Sequence, residues 1–474
     1  MFPNEHQIQK IVEEVVKKMN VSPGAAVAAV PAASFSSGGQ LGVFNGIDEA
    51  IKAAALAYRE LRKLNLQKRE EMISAMREIS IKNVESLARE AVEETKMGRV
   101  ADKVQKILLA AKKTPGTEDL VQRVKSGDHG LTLEERGPYG VIASVTPSTN
   151  PVATVINNSI SMIAAGNAVV YNFHPSAKKV CARTLSLLNE AIVTVGGPKN
   201  LLTCTGNPTM ESSNALMKHP DIRLVCVTGG PNVVKAAFEC GKKVIAAGPG
   251  NPPVVIDETA DLDQAARDTV DGASFDNNVM CIAEKECYIV NSVFDKVREK
   301  MKQHGAFEIK GEEINKLMKV VFDENGQVNR KWVGRDAKVI LREIGIHVSD
   351  DIKLIIAEVD QNHLLVEEEM LMPVLPLVRV KDVDEAIELA VEAEHGFFHT
   401  AMMHSHNIAN LHKMAVAINT TIFVKNGPSY SGLGFNGEGH TTLTIAGPTG
   451  EGVTSARTFT RERRCVLIDY FRIV

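Results

Sequence analysis

Apolar residues recur at helical spacing from the first residues of the chain: Ile8, Ile11, Val12, Val15, Val16 and Met19 share one face of a segment within residues 1–19, with Glu13, Glu14, Lys17 and Lys18 opposite. This pattern predicts a short amphipathic helix. Residues 20–41, dominated by Ala, Ser, Gly and Pro, hold too few large apolar side chains to pack and read as a flexible linker. An apolar helix face on such a tether suits docking into a groove on a partner.

From residue 47 to about 113 the helical period continues, and residues 120–137 predict two strands turned between Gly127 and Gly130. Strand-like runs then alternate with helical ones: VIASVTP, AVVYNFHP, LLTCTG, LVCVTGG and KVIAAGPG are each followed by a helical or turn segment. That alternation predicts an α/β fold built on a doubly wound parallel sheet, whose ligands bind at the carboxyl ends of the strands. A second α/β unit spans about residues 257–427. The tail RRCVLIDYFRIV suits a final strand able to pair outside its own domain, and HTTLTIAG reads as another strand. Because that strand follows the GxGxxG formed by Gly432, Gly434 and Gly437, where a dinucleotide fingerprint needs a helix, the motif is rejected.

Composition narrows the class. A chain of 474 residues with 44% hydrophobic and 24% charged residues is expected to be globular, with roughly three domain-sized units. Lys plus Arg (54) nearly balances Asp plus Glu (58), so no overall field favours nucleic acid or an anionic membrane. Seven scattered cysteines without CxxC pairs or zinc-like His spacing point to a reducing cytoplasm and to no metal site. No apolar run approaches the ~18 residues of a membrane span, and the start lacks an export h-region.

The candidate chemistry centres on residues 272–285, GASFDNNVMCIAEK, which place Cys281 just before a β-like run at 286–290. A thiol becomes a covalent catalyst only as a thiolate, which needs donors, a positive dipole or a base. Thr228, Gly229 and Gly230 stand between a strand and a helix, where open backbone amides can meet a phosphate. Asn150, between Thr149 and Pro151, has the form of a turn residue.

Taken in order, SVTPSTNP, HPSAKK, VTGGP, AAGPGNPPVVIDETADL, GASFDNNVMCIAEK, MPVLP, FFHTAMMHS, IFVKNGPSY and PTGEGVTSARTF resemble, along essentially the whole chain, the aldehyde dehydrogenase superfamily. In detail they are similar to its CoA-acylating branch, the propionaldehyde and acetaldehyde dehydrogenases of bacterial microcompartments. The resemblance implies a Rossmann-type cofactor domain at 42–119 and 138–256, a catalytic domain at 257–440 and an oligomerisation element at 120–137 and 441–474. It also implies that a short-chain aldehyde, NAD and coenzyme A are converted to acyl-CoA and NADH through a thioester on Cys281. Asn150 and the Cys281 backbone N–H would hold the oxyanion, and His399 would help move a thiol proton. Cofactor contacts are implied for Thr146, Pro147, His174, Pro175, Thr228, Gly229, Gly230, Gly248 and Glu369, with Gly250 keeping its loop free of side chain.

Two departures shape the expectation. Ala246 stands where hydrolytic relatives carry the glutamate that activates water, which favours release of the acyl group to coenzyme A. Asn172 and Pro175 replace the lysine and glutamate that contact the adenosine ribose, leaving NAD against NADP open. Propionaldehyde is the first expectation, from CIAEK and NGPSY, and acetaldehyde the second. A hydrolytic aldehyde dehydrogenase and a non-catalytic microcompartment scaffold are the rival readings. The resemblance further implies a homodimer or homotetramer, located in the microcompartment lumen of the cytoplasm, with residues 1–19 as the segment that docks on a shell or cargo protein.

Overall fold

The strand–helix alternation resolves, in the computed structural model, into two parallel sheets and a small antiparallel one. The structure describes residues 40–474, so the expected helix at 1–19 and nearly all of the linker lie outside the described residues. The first sheet has six strands in the order Val43–Phe44, Leu202–Thr205, Ala168–Asn172, Val141–Val145, Ile222–Thr228 and Lys243–Ala247. Both Val141–Val145 and Ala168–Asn172 are buried at every position, as a parallel strand covered by helices on both faces must be. Helix Pro151–Ala164 is buried along its whole length and starts with Pro at its first turn, where the missing N–H costs nothing.

The second sheet has seven parallel strands: Ala306–Glu308, Leu354–Glu358, Val374–Val380, Glu286–Val290, Pro253–Ile256, Thr400–His404 and Ile422–Lys425. Strand Pro253–Ile256 pairs with Glu286–Val290 on one side and Thr400–His404 on the other. The break between the two sheets therefore falls before Pro253, not after residue 256 as the sequence reading has it. The Gly- and Pro-rich residues 248–252 end one strand, and Pro253 is tolerated because it opens the next.

The segment 441–474 divides in two. Ala446, Ala456 and Phe459 pack into the core of the first sheet, and only Thr460–Ile468 joins the hairpin of Arg123–Gly127 and Gly130–Pro138 as a three-stranded antiparallel sheet. The strand expected over HTTLTIAG shrinks to Ile445–Ala446, paired with Gly452–Val453. Its alternating threonines signal buried hydrogen bonding instead: Thr442 Oγ1 donates to Asn157 Oδ1 (3.4 Å) and Thr444 Oγ1 to Asn158 Oδ1 (3.2 Å). Around the rejected GxGxxG, Lys113 Nζ donates to the carbonyls of Gly434 (2.6 Å) and Gly437 (2.9 Å), and no helix follows.

Candidate active site

The loops that leave the carboxyl ends of the first sheet meet the loops that enter the amino ends of the second. From the first come residues 147–150 after Val141–Val145, His174 after Ala168–Asn172, Thr228 to Gly230, and Gly248. From the second come Gly250 before Pro253–Ile256, Cys281 before Glu286–Val290, Glu369 before Val374–Val380 and His399 before Thr400–His404. Between them lies a cavity of about 360 Å³ lined by Pro147, Asn150, His174, Thr228, Gly229, Gly230, Gly248, Cys281 and Glu369 among others. A groove of about 460 Å³ lies apart, between helix Leu66–Lys82 and the three-stranded sheet.

Cys281 is half-buried on the cavity wall. Burial, then the Glu369 carboxylate, push its thiol up to about 12, while Lys285, its own backbone N–H and Lys106 act downward. The resting group is a thiol. The segment leading to it reverses through three successive residues in the left-handed region, Asp276 (φ 48°), Asn277 (φ 56°) and Asn278 (φ 63°). Such backbone costs roughly 1–2 kcal/mol per residue, least for Asp and Asn. Side-chain bonds offset the cost: Asn277 Nδ2 donates to the Gly334 carbonyl (2.9 Å), and Asn278 Nδ2 to those of Ala273 (2.8 Å) and Glu284 (2.9 Å). Lys285 Nζ closes the turn on the carbonyls of Asn278 (3.1 Å) and Met280 (3.3 Å) and on Asn278 Oδ1.

Asp276 is fully buried. Its carboxylate accepts from Lys103 Nζ (3.0 Å), from Lys106 Nζ and from the Arg99 N–H (2.8 Å). Burial alone would raise its pKa, but the two ammonium groups hold it below the ordinary carboxylate range. Lys106 Nζ also donates to Asn150 Oδ1 at 2.5 Å, and burial brings this lysine down to about 8. The sequence reading missed Lys103, Lys106 and Asp276. The signal was present: two lysines three residues apart on the apolar face of an amphipathic helix, and an Asp-Asn-Asn run before the cysteine.

Other expected residues are placed less directly. His399 is buried outside the cavity wall, its Nδ1 2.9 Å from Thr400 Oγ1 and its Nε2 without a partner. Burial first and Lys285 second bring its pKa down to about 4. Thr146 lies under the wall with its hydroxyl unpartnered, and Pro175 is exposed at the start of the turn Pro175–Ala177, outside the cavity. Asn172 is occupied elsewhere: its Nδ2 donates to the Thr209 carbonyl (3.3 Å) and its Oδ1 accepts from Ser212 Oγ (2.6 Å). Ala246 packs into the first core, so a glutamate there would not face the cavity; the loop instead presents Gly248 and Pro249. The carboxylate on the wall is Glu369, raised mainly by burial and bonded to the Gly250 N–H.

The site fits a dinucleotide and a thiol ester carrier. A Cβ at Gly230 would meet nothing within 4 Å, so the turn that leads into helix Pro231–Phe238 borders open space on the cavity wall. Arg330, also on the wall, adds a guanidinium suited to phosphate.

The profile of the aldehyde dehydrogenase family matches residues 40–314 and 353–444. An acetylating acetaldehyde dehydrogenase of Salmonella typhimurium is 51% identical over 477 residues, covering 99% of this chain and 100% of that protein. The propionaldehyde dehydrogenase of Rhodopseudomonas palustris, with bound propionyl-CoA, superimposes with a TM-score of 0.90 at 48% identity, covering 90% of this chain and 95% of that one. It has also been solved with bound CoA and an acylated cysteine. A propionaldehyde dehydrogenase from the fucose utilisation microcompartment of Clostridium phytofermentans matches equally well, at 0.90 and 48% identity, covering 92% of this chain and 100% of that one. Alanine variants of that protein at one cysteine and one histidine are known, and those two positions are as far apart in sequence as Cys281 and His399.

Proposed function

The chain belongs to the aldehyde dehydrogenase family, and from that premise we propose that it oxidises a short-chain aldehyde with NAD and coenzyme A to an acyl-CoA and NADH. One observation carries the reading: a single cavity brings Cys281 and Asn150 together with the glycine turn at the start of a helix. Cys281 Sγ adds to the aldehyde carbon and releases its proton. The charge that develops on the carbonyl oxygen is met by Asn150 Nδ2 and the Cys281 N–H. A nicotinamide dinucleotide, when bound, accepts the hydride leaving that carbon. The resulting thioester on Cys281 is then attacked by the sulfur of coenzyme A, and Cys281 leaves as the thiolate.

The turn Thr228 to Gly230 is assigned to a pyrophosphate, with the Gly230 N–H as its amide donor since that of Gly229 donates to the Ala247 carbonyl (3.5 Å), Glu369 to a ribose, and Pro147, His174 and Gly248 to the remaining cofactor wall. Thr146 and Pro175 support this wall from outside it. His399 is assigned as proton acceptor through its free Nε2, which gains affinity for a proton only once a sulfur nearby is anionic. Release to coenzyme A instead of water is supported by the absence of a carboxylate on the loop at Gly248 and Pro249.

Propionaldehyde and acetaldehyde share the substrate assignment: the two solved relatives act on the former and the Salmonella relative on the latter. The three-stranded sheet is assigned to a homodimer or homotetramer, and residues 1–19 to docking inside a microcompartment, a setting supported by the source of the Clostridium relative.

NADH formation with aldehydes of two to four carbons, with and without coenzyme A, tests the reaction. Formation that depends on coenzyme A and disappears in Cys281→Ala is expected. Free acid made at full rate without coenzyme A overturns the proposal in favour of a hydrolytic enzyme, and an inactive wild type favours a scaffold.

A further inference from the structure

We propose that Lys106 is a positioning residue that binds the Asn150 amide and the Cys281 loop into one oxyanion-holding unit, its ammonium bridging Asn150 Oδ1 and the Asp276 carboxylate. The inference rests on the assignment of Asn150 and Cys281 above. Asn150 precedes helix Pro151–Ala164 at the N-cap, where an asparagine side chain ordinarily accepts from the N–H two or three residues on. Here no such cap bond forms. Oδ1 accepts from Lys106 Nζ at 2.5 Å instead.

That exchange decides which end of the amide faces the substrate. An ammonium only donates, so it can bind Oδ1 but not Nδ2. The amide nitrogen is left with one long contact, to Thr149 Oγ1 at 3.4 Å, on a residue that lines the cavity beside Cys281. A charged donor on Oδ1 also polarises the amide and strengthens its N–H as a donor. The same ammonium holds Asp276, the first of the three left-handed residues that lead into Cys281. One atom, Lys106 Nζ, thus binds the Asn150 amide directly and shares in holding the turn that leads to Cys281.

Lys103 provides the internal control. It pairs with the same Asp276 carboxylate at 3.0 Å but makes no bond to Asn150. Removing Lys106 leaves Asp276 with a cation, so the fold retains its buried pair.

Steady-state kinetics and thermal unfolding of Lys106→Met, Lys103→Met, Asn150→Ala and the double variant Lys106→Met/Asn150→Ala test the proposal, together with a crystal structure of Lys106→Met. Lys106→Met is expected to lower kcat by roughly 10- to 100-fold, up to the loss of one oxyanion donor, with KM for aldehyde and coenzyme A nearly unchanged. Lys106→Arg should recover part of the loss. Lys103→Met, which leaves the bond to Asn150 in place, should lower the unfolding temperature and cost less in kcat than Lys106→Met, and the double variant should be little slower than Asn150→Ala alone. In the crystal, Asn150 Oδ1 should turn back onto the N–H of Val152 or Ala153. A Lys106→Met enzyme with wild-type kcat, losses that multiply in the double variant, an equal kcat loss in Lys103→Met, or an Asn150 amide that has not moved overturns it. A wild type without CoA-dependent NADH formation overturns the assigned reaction instead, and the Asn150 geometry in Lys106→Met then decides the positioning role.

Discussion

A Cβ placed on Gly250 would lie 2.8 Å from the carbonyl oxygen of Cys281 and 3.0 Å from Cγ of His399, so the loop between the two sheets touches the nucleophile's backbone with nothing to spare. Gly250→Ala should therefore displace the Cys281 carbonyl or the imidazole. At a typical overpacking cost of about 1–3 kcal/mol, the variant is expected to fold with a lower unfolding temperature and to lose at least tenfold in kcat. Wild-type kinetics in a folded Gly250→Ala would contradict the close approach.

Glu369 faces the same sulfur electrostatically. Its carboxylate adds to burial in holding the Cys281 thiol protonated, so Glu369→Gln removes a negative charge and favours the thiolate. Iodoacetamide modification of Cys281 at pH 8 is expected to be several-fold faster in Glu369→Gln than in the wild type. The reaction should be followed peptide by peptide by mass spectrometry, since Cys465 is exposed and reacts independently. An unchanged or slower rate at Cys281 argues against the coupling.

The buried histidines set an acid limit. Burial brings both His399, aided by Lys285, and His404 down to about 4. Unfolded histidine titrates near 6.5, so between about 6.5 and 4 the unfolded chain binds more protons than the native one, and stability falls as the pH falls through this window. The unfolding temperature should drop between pH 6.5 and 4.5, and His404→Asn should flatten that dependence. A kcat limb near 6.5 that vanishes in His399→Asn would show instead that this imidazole titrates normally.

Leu467 and Ile468 remain 47% and 66% exposed on the edge strand of the small sheet, and Val466 is 52% exposed. If this sheet joins copies of the chain, Leu467→Asp places a charge in that interface, and light scattering should report a smaller particle at equal concentration. A particle of wild-type mass rules out this strand as the contact.

Much of the architecture was legible in the sequence because its signals are local. The alternation of strand-like and helical runs predicted the first sheet, and turn glycines predicted the hairpin at 120–137. Local signals failed where the same residues serve another purpose. The threonines of HTTLTIAG alternate to satisfy Asn157 and Asn158, not to form a strand. The boundary expected after residue 256 lies inside the second sheet's territory, because Pro253 opens one of its central strands.

For the site, the sequence by itself determined which residue types were available: the cysteine before a strand, the glycine turn before a helix, and the asparagine next to a proline. Only the tertiary structure decided which of them share a wall, because the carboxyl ends of one sheet face the amino ends of another across residues far apart in the chain. It placed Thr146, Pro175 and His399 off the cavity and turned Ala246 into the core. It also brought Lys106 between Asn150 and Asp276. No spacing rule predicts that contact, since burying an ammonium costs free energy unless a fold has already assembled the carboxylate and the amide oxygen that receive it.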